Sequence, residues 1–351
     1  MVGTARQVAE DDSMDKPPVT KRIRLSDIAQ MAGVSQATVS LVLNNMSGAR
    51  IAPATRQKVQ AIAAELGYTR KAGVQRGGAA IILLLIDEVI TTPFAAPFIE
   101  GARLQASARG ALLVTCCTGG DPTVEAAAIE SFRAAPLAGV LYATLITRMV
   151  RVPPLPDGVP AVLLNCHAAR DTLPSVVPGD VQAGFDATMA LIQAGHRRIA
   201  HIGGEDWGEA ARDRALGYRQ ALAAAGLPPS PDLLAGPAWT ATSGREAMLR
   251  LLDLPAPPTA VFCFNDRVAL GAYEAAAERG LRLPQDLSVV GFDNDDIAAT
   301  LRPPLTTMVL PHEDMARWAV DRLAHPPSRP ALQMTFDCDL IARGSVMPPA
   351  I

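Results

Sequence analysis

Residues 25–44 read Leu-Ser-Asp-Ile-Ala-Gln-Met-Ala-Gly-Val-Ser-Gln-Ala-Thr-Val-Ser-Leu-Val-Leu-Asn, and Thr55-Arg56-Gln57-Lys58-Val59 and Leu66-Gly67-Tyr68 follow. Ile28, Met31 and Ala32 recur at helical spacing, and Gly33 supplies a turn. Ser35 then stands where a second helix needs a side chain to cap its free N–H groups. Val39 and Leu43, four apart, turn that second helix inward and leave Gln36, Ala37, Ser40 and Asn44 outside. Small and amide side chains of this kind reach base edges and phosphates in a major groove. The pattern is a helix-turn-helix followed by a third packing helix, which implies a chain that reads DNA through the helix beginning at Gln36.

Charge agrees with this reading. Residues 16–78 hold ten Lys or Arg (Lys16, Lys21, Arg22, Arg24, Arg50, Arg56, Lys58, Arg70, Lys71 and Arg76) against Asp27 and Glu65, in a chain whose formal net charge is −3. The remainder is therefore acidic. A basic head suits a phosphate backbone, and an acidic body stays away from it.

A length of 351 residues exceeds one helix-turn-helix and allows roughly two further lobes with separate cores. Apolar residues make up 49% of the chain, yet no run is long enough to cross a bilayer. The first residues lack the apolar core of a secretion signal and carry Glu10, Asp11, Asp12, Asp15 and Pro17-Pro18, so residues 1–21 are expected to be a disordered tail and the location cytoplasmic. Cys116, Cys117, Cys166, Cys263 and Cys338 are odd in number, sit in apolar strand-like runs and show no metal spacing. The adjacent Cys116 and Cys117 read as buried packing thiols rather than a redox pair.

From residue 79 onward short apolar runs alternate with Ala-rich amphipathic stretches. Ile81–Ile86, Ala111–Cys116, Gly139–Ala143 and Ala161–Leu164 read as strands, with helices over Phe98–Arg109, Val124–Ala134 and Ala183–Gln193. The pattern restarts with strands at Ile199–Ile202, Ala260–Cys263 and Ser288–Phe292 and helices at Ala211–Ala225, Ser243–Leu252 and Ala269–Arg279. Strand and helix alternating in this way imply two parallel sheets covered by helices, that is, two doubly wound lobes behind an all-α headpiece.

Catalysis finds no support in the motifs. The chain lacks a Gly-x-Ser-x-Gly elbow, a phosphate loop ending in Gly-Lys-Ser/Thr, a His-Glu-x-x-His and a Gly-x-Gly-x-x-Gly between strand and helix. Gly77-Gly78 and Gly203-Gly204 are too sparse to cradle phosphate, and no cofactor is implied. A solute-binding transport protein is the other alternative, and it conflicts with the missing export signal and the helix-turn-helix.

Asp27, Ile28, Ala29, Ala32, Gly33, Val34, Ser35, Thr38, Val39, Ser40, Val42, Leu43 and Asn44 together resemble the headpiece signature of the lactose-repressor (LacI) family of bacterial transcription regulators. The likeness continues through Gly195-His196-Arg197-Arg198, Arg214-Ala215-Leu216-Gly217-Tyr218, Phe264-Asn265-Asp266, Val290-Gly291-Phe292-Asp293, Pro304-Leu305-Thr306-Thr307 and Arg343-Gly344-Ser345. The resemblance implies base readout by Gln36 and Ala37 and phosphate contacts from Ser35, Thr38, Ser40 and Asn44. Leu41 departs from the family, where an Arg often stands. Arg50 is expected to add a phosphate contact.

The resemblance also implies a periplasmic-binding-protein-like body with a ligand cleft between its lobes. It places Asp180, Arg214, Trp239, Asn265 and Asp293 in that cleft. Such a set offers convergent donors and acceptors with a flat apolar face, which suits a sugar or another small polyhydroxylated molecule. Nucleosides and small polar acids remain alternatives. So do structural roles: helix caps for Asp180 and Asp293, an inter-lobe salt bridge for Arg214, and the core for Trp239. Aromatics are few, which leaves Phe94, Phe98, Trp207 and Trp239 as stacking candidates, and His196 reads as structural.

The expected organisation is a tail over 1–21, a headpiece over 22–68, a linker over 69–78 and an effector-binding and dimerisation body over 79–347. The first lobe takes 79–193 and 307–330, and the second takes 194–306 and 331–347, with crossings near 193, 307 and 331. The linker departs furthest from the family. It carries Arg70, Lys71, Val74 and Gly77 where the family reads Pro, Asn, Ala and a Leu that wedges into the minor groove, so Arg70, Lys71 and Arg76 are expected to meet phosphates instead. No heptad-bearing tail follows Pro348-Pro349, which argues for a homodimer on a palindromic operator rather than a coiled-coil tetramer. Whether an effector releases DNA or acts as a corepressor is left open by the residues.

Overall fold

The computed structural model describes residues 25–43, 51–65, 80–90, 94–169, 173–325 and 333–350. The chain divides into two compact units, residues 1–74 and 75–351. The tail and linker expected at 1–21 and 69–78 lie outside the described residues, as do Asn44, Arg50, Arg70, Lys71 and Arg76.

The first unit is built from α1 (Leu25–Ala32), α2 (Gln36–Leu43) and α3 (Pro53–Glu65). Gly33 takes φ +70°, a left-handed value that costs glycine nothing, and lets the chain reverse after α1. Ser35 then caps α2: its Oγ accepts the Thr38 backbone N–H at 3.1 Å. Pro53 opens α3 at the one helical position where a missing N–H is harmless. Ile28, Ala32, Val39, Val42, Val59 and Ala63 bury together as the core. Met31, expected among them, is instead half exposed at 52%. Its neighbours Ile28 and Ala32, four apart, already supply the inward stripe of so short a helix.

The second unit begins with β1 (Ala80–Ile86), α4 (Ala95–Ala108), β2 (Ala111–Cys117), α5 (Pro122–Ser131), β3 (Leu137–Val150), β4 (Ala161–Ala168) and β5 (Ser175–Pro178). It continues with α6 (Asp180–Gln193), β6 (Ile199–Ile202), α7 (Glu209–Ala224), β7 (Leu234–Ala235), α8 (Ala241–Leu252), β8 (Ala260–Cys263), α9 (Asp266–Glu278) and β9 (Ser288–Asp293). Then follow α10 (Asp296–Thr300), β10 (Thr306–Val309), α11 (His312–Ala324), β11 (Gln333–Phe336) and β12 (Leu340–Ile341).

Among the described residues two six-stranded sheets result, one in the order β2-β1-β3-β4-β5-β11 and one in the order β7-β6-β8-β9-β10-β12. All pairings are parallel except that of β12 with β10. Because β1 is covered on both faces, its sequence is continuously apolar rather than alternating. Ile82, Leu84 and Ile86 face α4 and α11, while Leu83 and Leu85 face the side covered by Ile129 of α5. In the second lobe Phe262, Val290 and Phe292 pack with α6 and α7, and Val261 and Val289 pack with α8 and α9.

The chain passes between sheets three times: at Gly179, at residues 310–311 and at residues 337–339. These positions differ from those expected near 193, 307 and 331. Helix α6 belongs to the second lobe, where it lies so close to α7 that a Cβ on Gly217 would sit 2.1 Å from the Val181 carbonyl oxygen. A helix at 180–193 reads the same from sequence whichever sheet it covers. The crossings are tied together, with the Gly179 N–H donating to the Phe336 carbonyl at 2.8 Å and the Val309 N–H to the Asp339 carbonyl at 2.8 Å.

Cys116 is half-buried and Cys117 exposed on the edge strand β2, so the expected buried pair is a partly open one. An edge strand is covered on fewer sides than its apolar sequence suggests. His196 is structural, as expected: its ring nitrogens contact Thr259 Oγ1 and the Met347 carbonyl, each at 2.9 Å.

Candidate effector cleft and DNA-reading helix

Parallel sheets place their ligand crevices at the carboxyl ends of the strands, and here the two sets of strand ends face one another across the crossings. Between them lies a cavity of about 360 Å³, its open mouth included. Phe94, Ile146, Thr147 and Asn165 line it from the first lobe, Arg214, Trp239, Phe264 and Asp293 from the second, and Pro178, Leu310 and His312 from the crossings.

Arg214 on α7 organises the second-lobe wall. Its Nε donates to Asp180 Oδ1 at 2.7 Å and its Nη1 to the Phe264 carbonyl at 2.8 Å. Asp293 Oδ1 lies 3.6 Å from the same Nη1. The guanidinium stacks over the Phe292 ring, 3.5 Å from its centre, where the aromatic face favours a cation. Burial pushes the Asp180 carboxyl above its usual range against the pull of Arg214, and pushes Asp293 well above it.

Backbone strain marks the same place. Asp293, Asn294 and Asn165 are the non-glycine residues with positive φ among the described residues, at 108°, 56° and 58°. Asp293 and Asn165 line the cavity. Such conformations persist where the surroundings hold them and concentrate at ligand sites.

On the opposite wall, Asn165 bridges an irregularity in β3. Its Nδ2 donates to the Thr144 and Leu145 carbonyls at 2.9 and 3.1 Å, and its Oδ1 accepts from Thr147 Oγ1 at 2.8 Å. This holds Thr147 at the cavity surface. His312, the first residue of α11, stacks on Phe98 with ring centres 4.0 Å apart. Burial lowers its pKa to about 3, so the imidazole is neutral.

At the side of the cleft the first residue of α7, Glu209, reaches across to the first lobe. One carboxylate oxygen accepts the Met149 N–H at 3.0 Å, and the other meets His167 Nε2 at 2.7 Å. The clasp joins the lobes beside Ala210, which itself lines the cavity.

Of the residues expected to meet ligand, Arg214, Trp239, Asp293 and Phe94 line the cavity. Asp180 stands behind Arg214 as its ion-pair partner. Asn265 caps α9, its Oδ1 accepting the Val268 N–H at 2.7 Å while its Nδ2 donates to the Trp239 carbonyl, so it positions Trp239 rather than facing ligand. Phe98 is fully buried beneath His312, and Trp207 is exposed. Thr147, Asn165, Phe264 and His312 were not read from sequence. An Asn ending an apolar strand and a His after Leu310-Pro311 were the available signals.

In the headpiece Ser35 and Gln36 are exposed at the start of α2, and Thr38 is half-buried with its hydroxyl 2.9 Å from that of Ser35. Ala37, Ser40 and Leu41 lie within α2, their side chains outside the description. Residues 36–38 thus occupy the N-terminal turn, the part of a recognition helix that approaches bases.

A helix-turn-helix headpiece in one chain with a two-lobed, cleft-bearing body defines a class: DNA-binding regulators with an effector domain. Residues 24–71 match the family described as bacterial regulatory proteins, lacI family, and residues 188–346 match the periplasmic binding protein-like domain. The chain is 34% identical to the HTH-type transcriptional repressor CytR of Escherichia coli K12, over 92% of this chain and 95% of that one. Among solved structures it resembles the transcriptional regulator CelR–cellobiose complex (31% identity, TM-score 0.63, 93% of this chain and all of that one). It also resembles the lac repressor dimer bound to operator and the anti-inducer ONPF (26% identity, TM-score 0.63, with the same coverage). The chain belongs to the LacI family of DNA-binding transcriptional regulators. No helix among the described residues is long and apolar enough to cross a membrane.

Proposed function

We propose that this regulator is a cytoplasmic repressor without catalytic activity that binds a palindromic operator as a homodimer and is controlled by a small polyhydroxylated effector in the inter-lobe cleft. Ser35, Gln36, Ala37, Thr38, Ser40 and Asn44 face the operator in this reading, with Arg50, Arg70, Lys71 and Arg76 on its phosphates. The observation that carries the effector site is Arg214, buried and oriented by Asp180 and Asp293, facing Thr147 and His312 of the other wall across a cavity flanked by Phe94, Trp239 and Phe264. Hydroxyl groups fit such a mixture of donors and acceptors, and the C–H faces of a sugar or sugar derivative fit the rings. CytR is named as a repressor, the lac repressor structure is a dimer on operator, and the CelR structure holds cellobiose, all of which support the reading.

Mechanistically, ligand contacts to both walls favour the closed arrangement, and Glu209 adds its clasp in that state. Coupling to DNA is reciprocal: an effector that weakens operator binding binds less tightly to the DNA-bound protein. The test is to select operator sequences from a random DNA pool and measure their affinity with and without each of a panel of sugars, sugar derivatives and nucleosides. An effector that changes operator affinity in the wild type but not in an Arg214→Ala, Asp293→Ala double variant is expected. Its effect on DNA binding gives the sign of regulation. An effector whose action survives the double variant places the site elsewhere.

A further inference from the structure

We propose that this cleft selects an uncharged ligand and excludes phosphorylated and carboxylated ones, with Asp180 and Asp293 as the residues that set the selection. The inference rests on the effector reading above and adds the charge class of the ligand.

Among the described residues that line the cavity Arg214 is the one Arg or Lys, and its charge is already met. It pairs with Asp180 at 2.7 Å, lies 3.6 Å from Asp293 and is stacked on Phe292, and both carboxylates are almost fully buried beside it. An incoming anion reaches the guanidinium only by competing with these carboxylates, and stripping a buried ion of its partner costs more than the new pair returns. His312 adds no second cation, because its ring is enclosed on Phe98 and neutral. Arg148, next in the chain after Thr147, is paired with Asp87 at 2.7 Å.

Helix N-termini are the other ready source of anion affinity, since their free N–H groups and dipoles attract phosphate. In the second lobe α6 starts where the chain enters from β5, and α7, α8 and α9 follow β6, β7 and β8. Three of these four carry an acid at the first position, Asp180 on α6, Glu209 on α7 and Asp266 on α9, while α8 has no acid in its first turn and occupies its own end with a Thr240–Ser243 capping box. Their carboxylates turn to Arg214, to Met149 and His167, and to Thr307 and Asp295, and so set negative charge near helix ends that would otherwise attract an anion. On the crossing side α11 holds Glu313 and Asp314 in its first turn. Helix α4 has no acid there, but Pro97 removes one of its free N–H groups and the apolar Phe94 precedes it at the cavity. A neutral polyol meets none of these penalties, because its hydroxyls donate to carboxylates and accept from Arg214 alike.

Matched pairs test the selection on the full chain in phosphate-free buffer: D-ribose against ribose 5-phosphate, D-glucose against glucose 6-phosphate, and uridine against its 5′-monophosphate, with inorganic phosphate as the bare anion. Thermal shift and calorimetry are read on wild type, Arg214→Ala and Asp293→Asn. The expected result is a neutral compound that binds and loses its effect in Arg214→Ala, a phosphorylated partner at least 100-fold weaker, and no shift with inorganic phosphate. Asp293→Asn should narrow the gap by admitting the phosphorylated partner. A phosphorylated compound that binds as tightly as its neutral partner, and is lost in Arg214→Ala, overturns the charge selection while leaving the effector cleft intact. Binding that ignores Arg214→Ala, or none by any compound, overturns the effector reading and the selection with it.

Discussion

Arg214→Met removes a guanidinium while keeping an apolar stem against Phe292. Wild type buries Arg214, Asp180 and Asp293 together, at 4% exposure for Arg214 and 3% for Asp180. The variant leaves two carboxylates in the same enclosed space without a cation. Breaking a buried pair from one side costs about 3–5 kcal/mol. At roughly 2–4 °C per kcal/mol for a body of this size, the midpoint should fall by about 6 °C or more. The cost should depend on pH with a definite sign. Burial already raises both carboxyls in wild type, and without Arg214 they rise further, so the folded variant holds protons that folded wild type has released. The deficit therefore grows as pH rises through the wild-type carboxyl range toward the variant's higher one, and shrinks on acidification below it. Urea and thermal unfolding of ligand-free protein at pH 5 and pH 8 measure it. Arg214→Met combined with Asp180→Asn should recover much of the loss, since one unpaired charge is gone and the volume is nearly unchanged. A single variant within about 1 kcal/mol of wild type at both pH values, or a loss that Asp180→Asn does not relieve, would refute the view that ionic balance holds this wall together.

His201 is enclosed between Tyr218 and Phe262, its Nε2 has no hydrogen-bond partner, and burial lowers its pKa to about 4. A depressed histidine contributes stability above its unfolded value near pH 6.5 and loses it as pH falls, so His201→Phe should gain about 3 kcal/mol on wild type between pH 7 and pH 4 in urea unfolding; a constant difference across that range would count against it. Glu209→Gln should weaken effector binding severalfold, since the clasp is partly exposed and contributes about 1 kcal/mol. A double-mutant cycle with His167→Gln isolates the pair, and strictly additive effects on affinity would dissolve the clasp. Ser35→Ala should cost the headpiece about 1 kcal/mol, seen as faster amide exchange over residues 36–43 and weaker operator binding, with the body's unfolding midpoint unmoved; unchanged exchange over α2 would show that Ser35 does not hold its end.

Local signals carried far along this chain. The apolar run Ile81–Ile86 became β1, buried from Ile82 to Ile86, and Ser35 before Gln36 became a cap because one hydroxyl three residues from an N–H needs only the helix itself. Four of the seven residues expected in the cleft line it: Arg214 on α7 and Asp293 at the end of β9 stand on elements that the pattern had located, and Phe94 and Trp239 stand just before α4 and α8. Phe98 failed for a reason of rotation: one helical turn beyond Phe94, it points into the core under His312 instead of into the cavity. Asn265 failed because an Asn at a strand end serves as readily to cap the next helix as to meet a ligand. The short strands β5, β7, β11 and β12 have too few residues for any period to show.

The sequence by itself determined the helix-turn-helix, the alternation that yields two parallel lobes and the basic head on an acidic chain, because each depends on spacings within a few turns or on charge summed along the chain. Only the tertiary structure decided which lobe owns α6, where the chain crosses, and that Thr147, Asn165 and His312 meet Arg214 across a cavity. Those pairings join residues far apart in the chain, and they are set by which apolar faces bury against one another and by where Gly184 and Gly217 let two helices close. The proposed selection of an uncharged ligand belongs to the same level. It comes from carboxylates on α6 and β9 converging on one guanidinium, an arrangement that no local stretch of the chain encodes.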